Sequence, residues 1–195
     1  MKMEKQTNNM AKISLFHLRR ITKIRNQINQ RITQTLVNSF VSSRLDYCNS
    51  LLCALPKKLI KKLQKVQNAA AKAITLSNRR AYATPVLRHL HWLPISYRTE
   101  FKILLLTYKM LNNAAPASLS SLIARYNPGR NLRSANENFL LRPSIPRNRY
   151  GQRAMSNLSP FLWNSLPSAV RKAKSVELFK AMLKTHFFTE HFGSS

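Results

Sequence analysis

The stretch "KKLIKKLQKVQNAAAKAIT", residues 57–75, has the clearest helical periodicity in the chain. At 3.6 residues per turn, its apolar residues fall together on one side of a helix: Leu59, Leu63, Val66, Ala70 and Ile74. The opposite side, which we call the lysine face, consists of Lys58, Lys61, Lys62, Lys65 and Lys72. We therefore predict an amphipathic helix whose exposed face carries only one sign of charge.

The lysine face has no acidic residues to balance it. Exposed helix faces usually mix signs, with Glu spaced to pair with Lys. Here the one acid between Lys5 and Arg98 is Asp46. Two interpretations remain open: a charged face that is merely solvated, and a face that binds a polyanion and is thereby relieved of its self-repulsion.

The same imbalance extends over the whole chain of 195 residues, which has 33 Lys and Arg against 6 Asp and Glu, a net charge of +27. Nucleic acid and anionic lipid are the usual polyanions, and we favour nucleic acid. The longest clean apolar run, "ILLLTY" at 103–108, is far shorter than the ~20 residues of a spanning helix. No signal-peptide stretch is present at the N-terminus. We expect no membrane partner and a location in the nucleus or cytoplasm.

Helical spacing continues on both sides of this segment. Only three glycines occur, which disfavours hairpins. Asp46 is expected at the start of a helix, where a carboxylate suits the free N–H groups, and Ser175 is expected as an N-cap. The predicted helices cover about 11–28, 30–43, 45–54, 57–75, 84–93, 94–112, 116–126 and 175–188, and a short apolar turn is predicted at 159–167.

These segments predict a mainly α fold, an irregular bundle of about six to eight helices with an Arg-rich extended arm near 126–153. The predicted organisation is a helical region at 1–125, the arm at 126–153, and a C-terminal helical segment at 154–195 that packs on the bundle. A short strand is predicted at "NFLLRP", residues 138–143.

The arm is rich in arginine: residues 125–153 contain seven Arg and no Lys. The guanidinium fork binds phosphate with two hydrogen bonds and stacks on bases. An uncommitted Arg-rich loop is the alternative. The candidate nucleic-acid-binding residues of the chain are Lys57, Lys58, Lys61, Lys62, Lys65, Lys72, Arg79, Arg80, Arg130, Arg133, Arg147, Arg149 and Arg153.

Residues suited to catalysis are scarce. Two-metal nucleotidyl transfer needs clustered carboxylates, whereas this chain has one Asp and five scattered Glu. Cys48 and Cys53 lie far in sequence from any histidine, so we expect buried thiols and not a zinc site. We predict no catalytic residue, no metal, no cofactor and no small-molecule substrate.

Three motifs carry a resemblance to a known family: "SRLDYCNSLL" at 43–52, "LHWLP" at 90–94 and "LWNSLP" at 162–167. In this order and spacing they resemble the C-terminal region of reverse transcriptase polyproteins from non-LTR retrotransposons of the jockey-like and chicken-repeat-like kind. The resemblance runs from about residue 10 to 189. It implies a thumb and post-thumb region without the palm and endonuclease carboxylates, so no catalytic residue of the family can be placed here.

Three functions follow as hypotheses. The first is a catalytically inactive fragment of an RNA-directed DNA polymerase that holds template RNA or an RNA–DNA hybrid by backbone phosphates. The second is a protein-interaction tail that packs on the polymerase palm of the parent polyprotein. The third is a small basic ribonucleoprotein component. Phosphates are common to RNA and DNA, so the choice between them stays open.

Overall fold

A computed structural model describes residues 2–53, 55–127, 138–143 and 154–193. The predicted mainly α class is confirmed, because helices dominate these residues and their only β pairing is an isolated antiparallel bridge between Arg125 and Leu140. The chain divides into two compact units, Met1–Thr99 and Glu100–Ser195. This division falls at a different place from the sequence-based one at 1–125, 126–153 and 154–195. No helix of the described residues combines the length and apolar character that crossing a membrane requires.

The first unit is built around α4, Lys57–Thr75, whose bounds match the predicted helix. Helix α1, Lys2–Ile24, packs against it and ends in a 3₁₀ turn, Arg25–Gln27. Helix α2, Gln30–Val37, passes through a π-helical turn, Asn38–Ser42, into α3, Ser43–Asp46. A 3₁₀ turn at Asn49–Leu52 precedes α4, and α5, Ala83–His89, follows it. Helix α6, Ile95–Leu111, starts in this unit.

The predicted apolar stripe of α4 is the centre of the first unit's core. All five of its members are buried, and they belong to one cluster with residues of α1, α2, the π turn and α3: Leu18, Ile21, Val37, Val41 and Leu45. Helix α4 ends because Leu76 takes a left-handed conformation (φ 54°). The backbone N–H of Ser77 then donates to the carbonyl of Lys72 at 3.1 Å, a common C-terminal cap.

The predictions for residues 45–54 were wrong. The α-helix ends at Asp46, Cys48 is left-handed (φ 50°) and Asn49–Leu52 form a 3₁₀ turn, so the described residues of this segment after Asp46 form no α-helix. Asp46 is therefore not at a helix start; its carboxylate forms an ion pair with Arg98, 52 residues away. Cys48 is exposed and Cys53 half-buried, contrary to the expectation of two buried thiols.

The second unit contains the rest of α6, α7 (Ala117–Ser120), α8 (Met155–Ser165), α9 (Ser168–Arg171) and α10 (Val176–Phe192). Tyr108 stacks on Phe179 at 4.4 Å between ring centroids, and Trp163 lies 5.8 Å from Phe179. The predicted cap of α10 is confirmed, since the Ser175 hydroxyl accepts from the N–H of Leu178 at 3.1 Å.

The predicted helix at 116–126 was wrong in its length, because only one turn, Ala117–Ser120, is α-helical. The chain then pairs with residues 138–143: the N–H of Tyr126 donates to Phe139, and that of Leu141 donates to Ala124, at 2.9 and 2.8 Å. This pairing is the isolated bridge and not the predicted strand.

Candidate nucleic-acid interface

The lysine face of α4 points to solvent. Lys58, Lys61, Lys62 and Lys65 are exposed, and Lys72 is half-buried. In the described part of the chain no carboxylate lies within ion-pair distance of any of the five; the ion pairs there are Asp46–Arg98 and His186–Glu190. The lysine face is therefore a row of like charges that no carboxylate of the described residues neutralises within ion-pair distance.

Helix α1 lies beside this row and runs parallel to α4. Near the start of both helices, Lys62 Nζ donates to Asn8 Oδ1 at 2.7 Å. Near their ends, Arg25 Nε donates to the carbonyl of Ala73 at 2.9 Å. The contacting residues are separated by 54 positions at the first contact and by 48 at the second. Because the residue numbers rise together on both helices, the two helices run in the same direction.

The parallel arrangement brings together two cation rows with the same spacing. On α1, Lys5, Lys12 and Arg19 are exposed and recur every seven residues, two turns of helix. On α4, Lys58, Lys65 and Lys72 recur at the same interval. The separation changes from 54 to 48 along the pair, so the two rows follow the same pair of helices without a fixed register, and successive cations within each row are about 10.5 Å apart.

A groove of about 840 Å³ runs between the C-terminal halves of α1 and α4, and we call it the α1–α4 groove. Its floor is apolar, formed by Leu15, Leu18, Ala69 and Ala73. Its cations come from both helices and from the chain after α4: Arg19, Arg25, Lys65, Lys72 and Arg79. Its uncharged polar residues are Thr22, Asn26, Asn68 and Ser77, and no acidic residue is among the described residues that line it.

Not every cation of the groove is free to bind a ligand. Arg25 is buried and donates to three carbonyls, those of Ile28, Ala73 and Ile74, at 2.8, 2.9 and 2.8 Å. Two of these are last-turn carbonyls of α4, so the guanidinium caps the negative end of that helix. Lys72 Nζ donates to the carbonyl of Arg79 at 2.8 Å, which ties the chain after α4 to the groove.

The structure sorts the predicted contact residues into three groups. Lys65, Lys72 and Arg79 line the α1–α4 groove. Exposed positions outside its lining are held by Lys57, Lys58, Lys61, Lys62 and Arg80. The arm residues Arg130, Arg133, Arg147, Arg149 and Arg153 lie outside the described residues, as does most of the predicted arm.

The sequence analysis missed the cations of α1. Arg19 lines the groove opposite Lys65 and Lys72, yet it was not among the candidates. A signal was present in the sequence, because Lys5, Lys12 and Arg19 repeat the seven-residue interval of Lys58, Lys65 and Lys72. The interval alone does not reveal which helices are neighbours.

Polar residues on a different side of α4 hold the scaffold of this surface. Gln67 is 1% exposed and donates to the carbonyl of Leu93 at 2.9 Å. Gln64 Oε1 accepts from the N–H of Ile95 at 2.9 Å. The segment "LHWLP" is thereby attached to α4, and these two glutamines are structural and not part of the cation rows.

Among the described residues, no three His, Cys, Asp or Glu side chains group so as to hold a metal ion. In the second unit, burial raises the pKa of Glu100 above its usual 4.5, and the negative charge of Glu190 raises it further.

Comparison of the chain with protein-family models, curated proteins and solved structures finds no match. The candidate interface is therefore assigned from its own residues and geometry.

Proposed function

We propose that this chain binds the sugar–phosphate backbone of nucleic acid through the cation rows of α1 and α4, and that it performs no catalysis of its own. The observation that carries the proposal is the presence of two cation rows, exposed at every position except Lys72, on parallel neighbouring helices. No carboxylate of the described residues balances either row within ion-pair distance.

Two physical arguments support a nucleic-acid partner over plain solvation. Keeping like charges on neighbouring helices costs electrostatic energy in the folded state, and a polyanion offsets that cost. Binding also releases the counterions condensed on the nucleic acid, a gain that grows with each phosphate neutralised. Lysine suits this role because it acts as a mobile point charge and does not read base sequence.

The resemblance to the thumb and post-thumb region of non-LTR reverse transcriptases gives this binding a context. In the proposal, the chain is a fragment that holds template RNA or an RNA–DNA hybrid beside a palm it lacks. The motif residues make scaffold contacts here: Asp46 pairs with Arg98, Leu93 accepts from Gln67, and Trp163 Nε1 donates to the carbonyl of Asn138 at 2.8 Å. These motif residues are thus distinct from the cations that would bind phosphate.

The experiment is a salt titration of oligonucleotide binding by the full chain, followed by fluorescence anisotropy of a labelled 20-nucleotide strand. Six phosphate contacts predict a log–log slope near −4 for single strands, at about 0.7 per contact. A slope near zero, or no binding at 50 mM salt, would contradict the proposal.

A matched pair of variants separates the cation rows from net charge. Lys12→Ala, Lys58→Ala and Lys65→Ala together remove three row cations and should reduce the slope by about 2. The control removes three equally exposed lysines from the second unit: Lys174, Lys180 and Lys184. Equal losses in the two triple variants would show that charge alone, and not the cation rows, governs binding.

A specific observation favours the second hypothesis, the protein-interaction tail. Large apolar side chains are exposed around the end of α3: Tyr47 is 72% and Leu51 66% exposed. Exposed apolar surface of this kind marks protein contacts when it is contiguous. A chain that ignores oligonucleotides but self-associates, and becomes monomeric in Tyr47→Ser/Leu51→Ser, would support this function in place of the first.

A further inference from the structure

We infer that the α1–α4 groove is a binding site for a single strand of nucleic acid, and that the strand lies along the groove with its bases toward the apolar floor. The inference rests on the proposed function and goes beyond it, because it assigns the form of nucleic acid and the place where it lies.

The dimensions of the groove favour one strand over a duplex. Packed helices lie about 8–10 Å apart, axis to axis, so the space above their line of contact is narrow. A duplex is wider than this gap and can touch only the rims. A single strand fits within this gap, and the groove volume of about 840 Å³ leaves room for the strand to extend along the two helices.

The composition of the groove matches the two chemical parts of a strand. Arg19 stands on the α1 rim and Lys65 on the α4 rim, where they can bind phosphates from both sides. The floor between them contains Ala69 and Ala73, whose small side chains allow the face of a base to approach closely. Duplex DNA keeps its base faces stacked inside, so only an unpaired strand gains from an apolar floor.

Asn68 adds a hydrogen-bond donor to the groove. Its side-chain oxygen accepts from Gln64 Nε2 at 2.8 Å, which orients the amide. The amide nitrogen of Asn68 is then the group available to donate to a base edge or a sugar oxygen. Thr22 and Ser77 supply hydroxyl groups on the two sides. The main competing occupant is an acidic amphipathic helix that places its apolar face against the groove. Amide and hydroxyl groups suit a nucleotide better, because a nucleotide offers them hydrogen-bond partners and an apolar face does not.

The test compares a labelled twelve-nucleotide poly-dT strand with a twelve-base-pair duplex at 100 mM salt, using the full chain. The duplex has twice the phosphates, so attraction by charge alone predicts that it binds at least as tightly. We expect the single strand to bind at least about fivefold more tightly, an effect that phosphate contacts do not produce.

Two variants locate the strand. Ala69→Leu fills the floor without changing charge and should weaken single-strand binding at least about fivefold, with duplex binding within twofold of the parent. Its control is Ala181→Leu, the same change at an exposed position of α10. Lys65→Ala should cost about fivefold at 0.1 M salt and lower the slope by about 0.7, since one contact is lost. Lys61→Ala, outside the groove lining, should have the smaller effect.

Each result is decisive. Tighter single-strand binding that Ala69→Leu and Lys65→Ala weaken supports the inference, given unchanged circular dichroism. Equal binding of strand and duplex, with Ala69→Leu neutral, overturns the inference and leaves the proposed function standing. Displacement of the strand by polyglutamate as effectively as by unlabelled poly-dT also overturns it, because an acidic peptide then fits equally well. Absence of binding to either oligonucleotide removes the proposed function itself.

Discussion

Replacing Arg25 with alanine should destabilise the first unit severely, although the chain is crowded with arginines and lysines. Arg25 is 7% exposed, and its guanidinium makes three hydrogen bonds of 2.8–2.9 Å to carbonyls. The bond to Ile74 is buried, and the other two are partly buried. Losing Arg25 leaves the last carbonyls of α4 without this partner.

The size of the effect follows from these contacts. A hydrogen bond to a charged group contributes about 1.5–3 kcal/mol, and a buried carbonyl left unpaired costs about 1–3 kcal/mol. Water can replace the guanidinium at the two partly buried carbonyls but not easily at Ile74. We therefore expect Arg25→Ala to lower the free energy of unfolding by about 3–5 kcal/mol, and Arg25→Lys by about 2 kcal/mol, because the ammonium can keep one of the three bonds.

The measurement is urea unfolding of the full chain followed by far-UV circular dichroism. Arg19→Ala is the matched control: it removes the same side chain from an exposed position on α1, six residues earlier, and should change stability by less than about 0.5 kcal/mol. A loss below about 1 kcal/mol for Arg25→Ala, or equal losses at the two positions, would refute the structural role assigned to Arg25. The two positions should rank in the opposite order for oligonucleotide binding. Among variants that fold, Arg19→Ala should bind the oligonucleotide more weakly than Arg25→Lys does.

Three further perturbations test other parts of the fold. Gln67→Leu should cost about 1–3 kcal/mol in urea unfolding, because the buried carbonyl of Leu93 loses its donor; a neutral result would mean that water replaces the amide. Ser175→Ala should cost about 1 kcal/mol through the lost cap of α10, and Ser175→Gly only a few tenths; equal costs would argue against the cap. The pKa of Glu100 is raised in the folded chain, so the folded state binds this proton more tightly than the unfolded state does. The contribution of Glu100 to the free energy of unfolding therefore falls as pH rises above 4.5. Glu100→Gln should therefore gain stability over the parent at pH 7 and show no gain near pH 4, checked by urea midpoints; a gain that is independent of pH would contradict the raised pKa.

The positive charge of this chain performs two different tasks. Two arginines make structural contacts. Arg98 forms an ion pair with the carboxylate of Asp46, and Arg25 donates to the carbonyl of Ile74 at the end of α4. The exposed cations of α1 and α4 have no acidic partner in the described part of the chain. The proposed sites of nucleic-acid contact are therefore a subset of the basic residues, and net charge alone overestimates the number of cations that are exposed for binding.

Local spacing was sufficient to predict α4. The apolar stripe and the lysine face both depend on residues within one or two turns of each other, and the helix was predicted with the observed bounds. Local rules failed where a residue's partner is distant in sequence. Asp46 looked like a helix-start carboxylate, but its partner Arg98 is 52 residues away, and the segment after it turns at Cys48 and forms no α-helix.

The α1–α4 groove shows the same contrast between local rules and tertiary contacts. Arg19 and Arg25 are both arginines near the end of α1, and helical periodicity does not distinguish them. Packing against α4 does, because it buries Arg25 against the carbonyls of Ala73 and Ile74 and leaves Arg19 on the rim. The amino-acid order establishes that each helix has a cationic row. Only the folded chain makes α1 and α4 parallel neighbours, because that arrangement depends on contacts between residues about 50 positions apart.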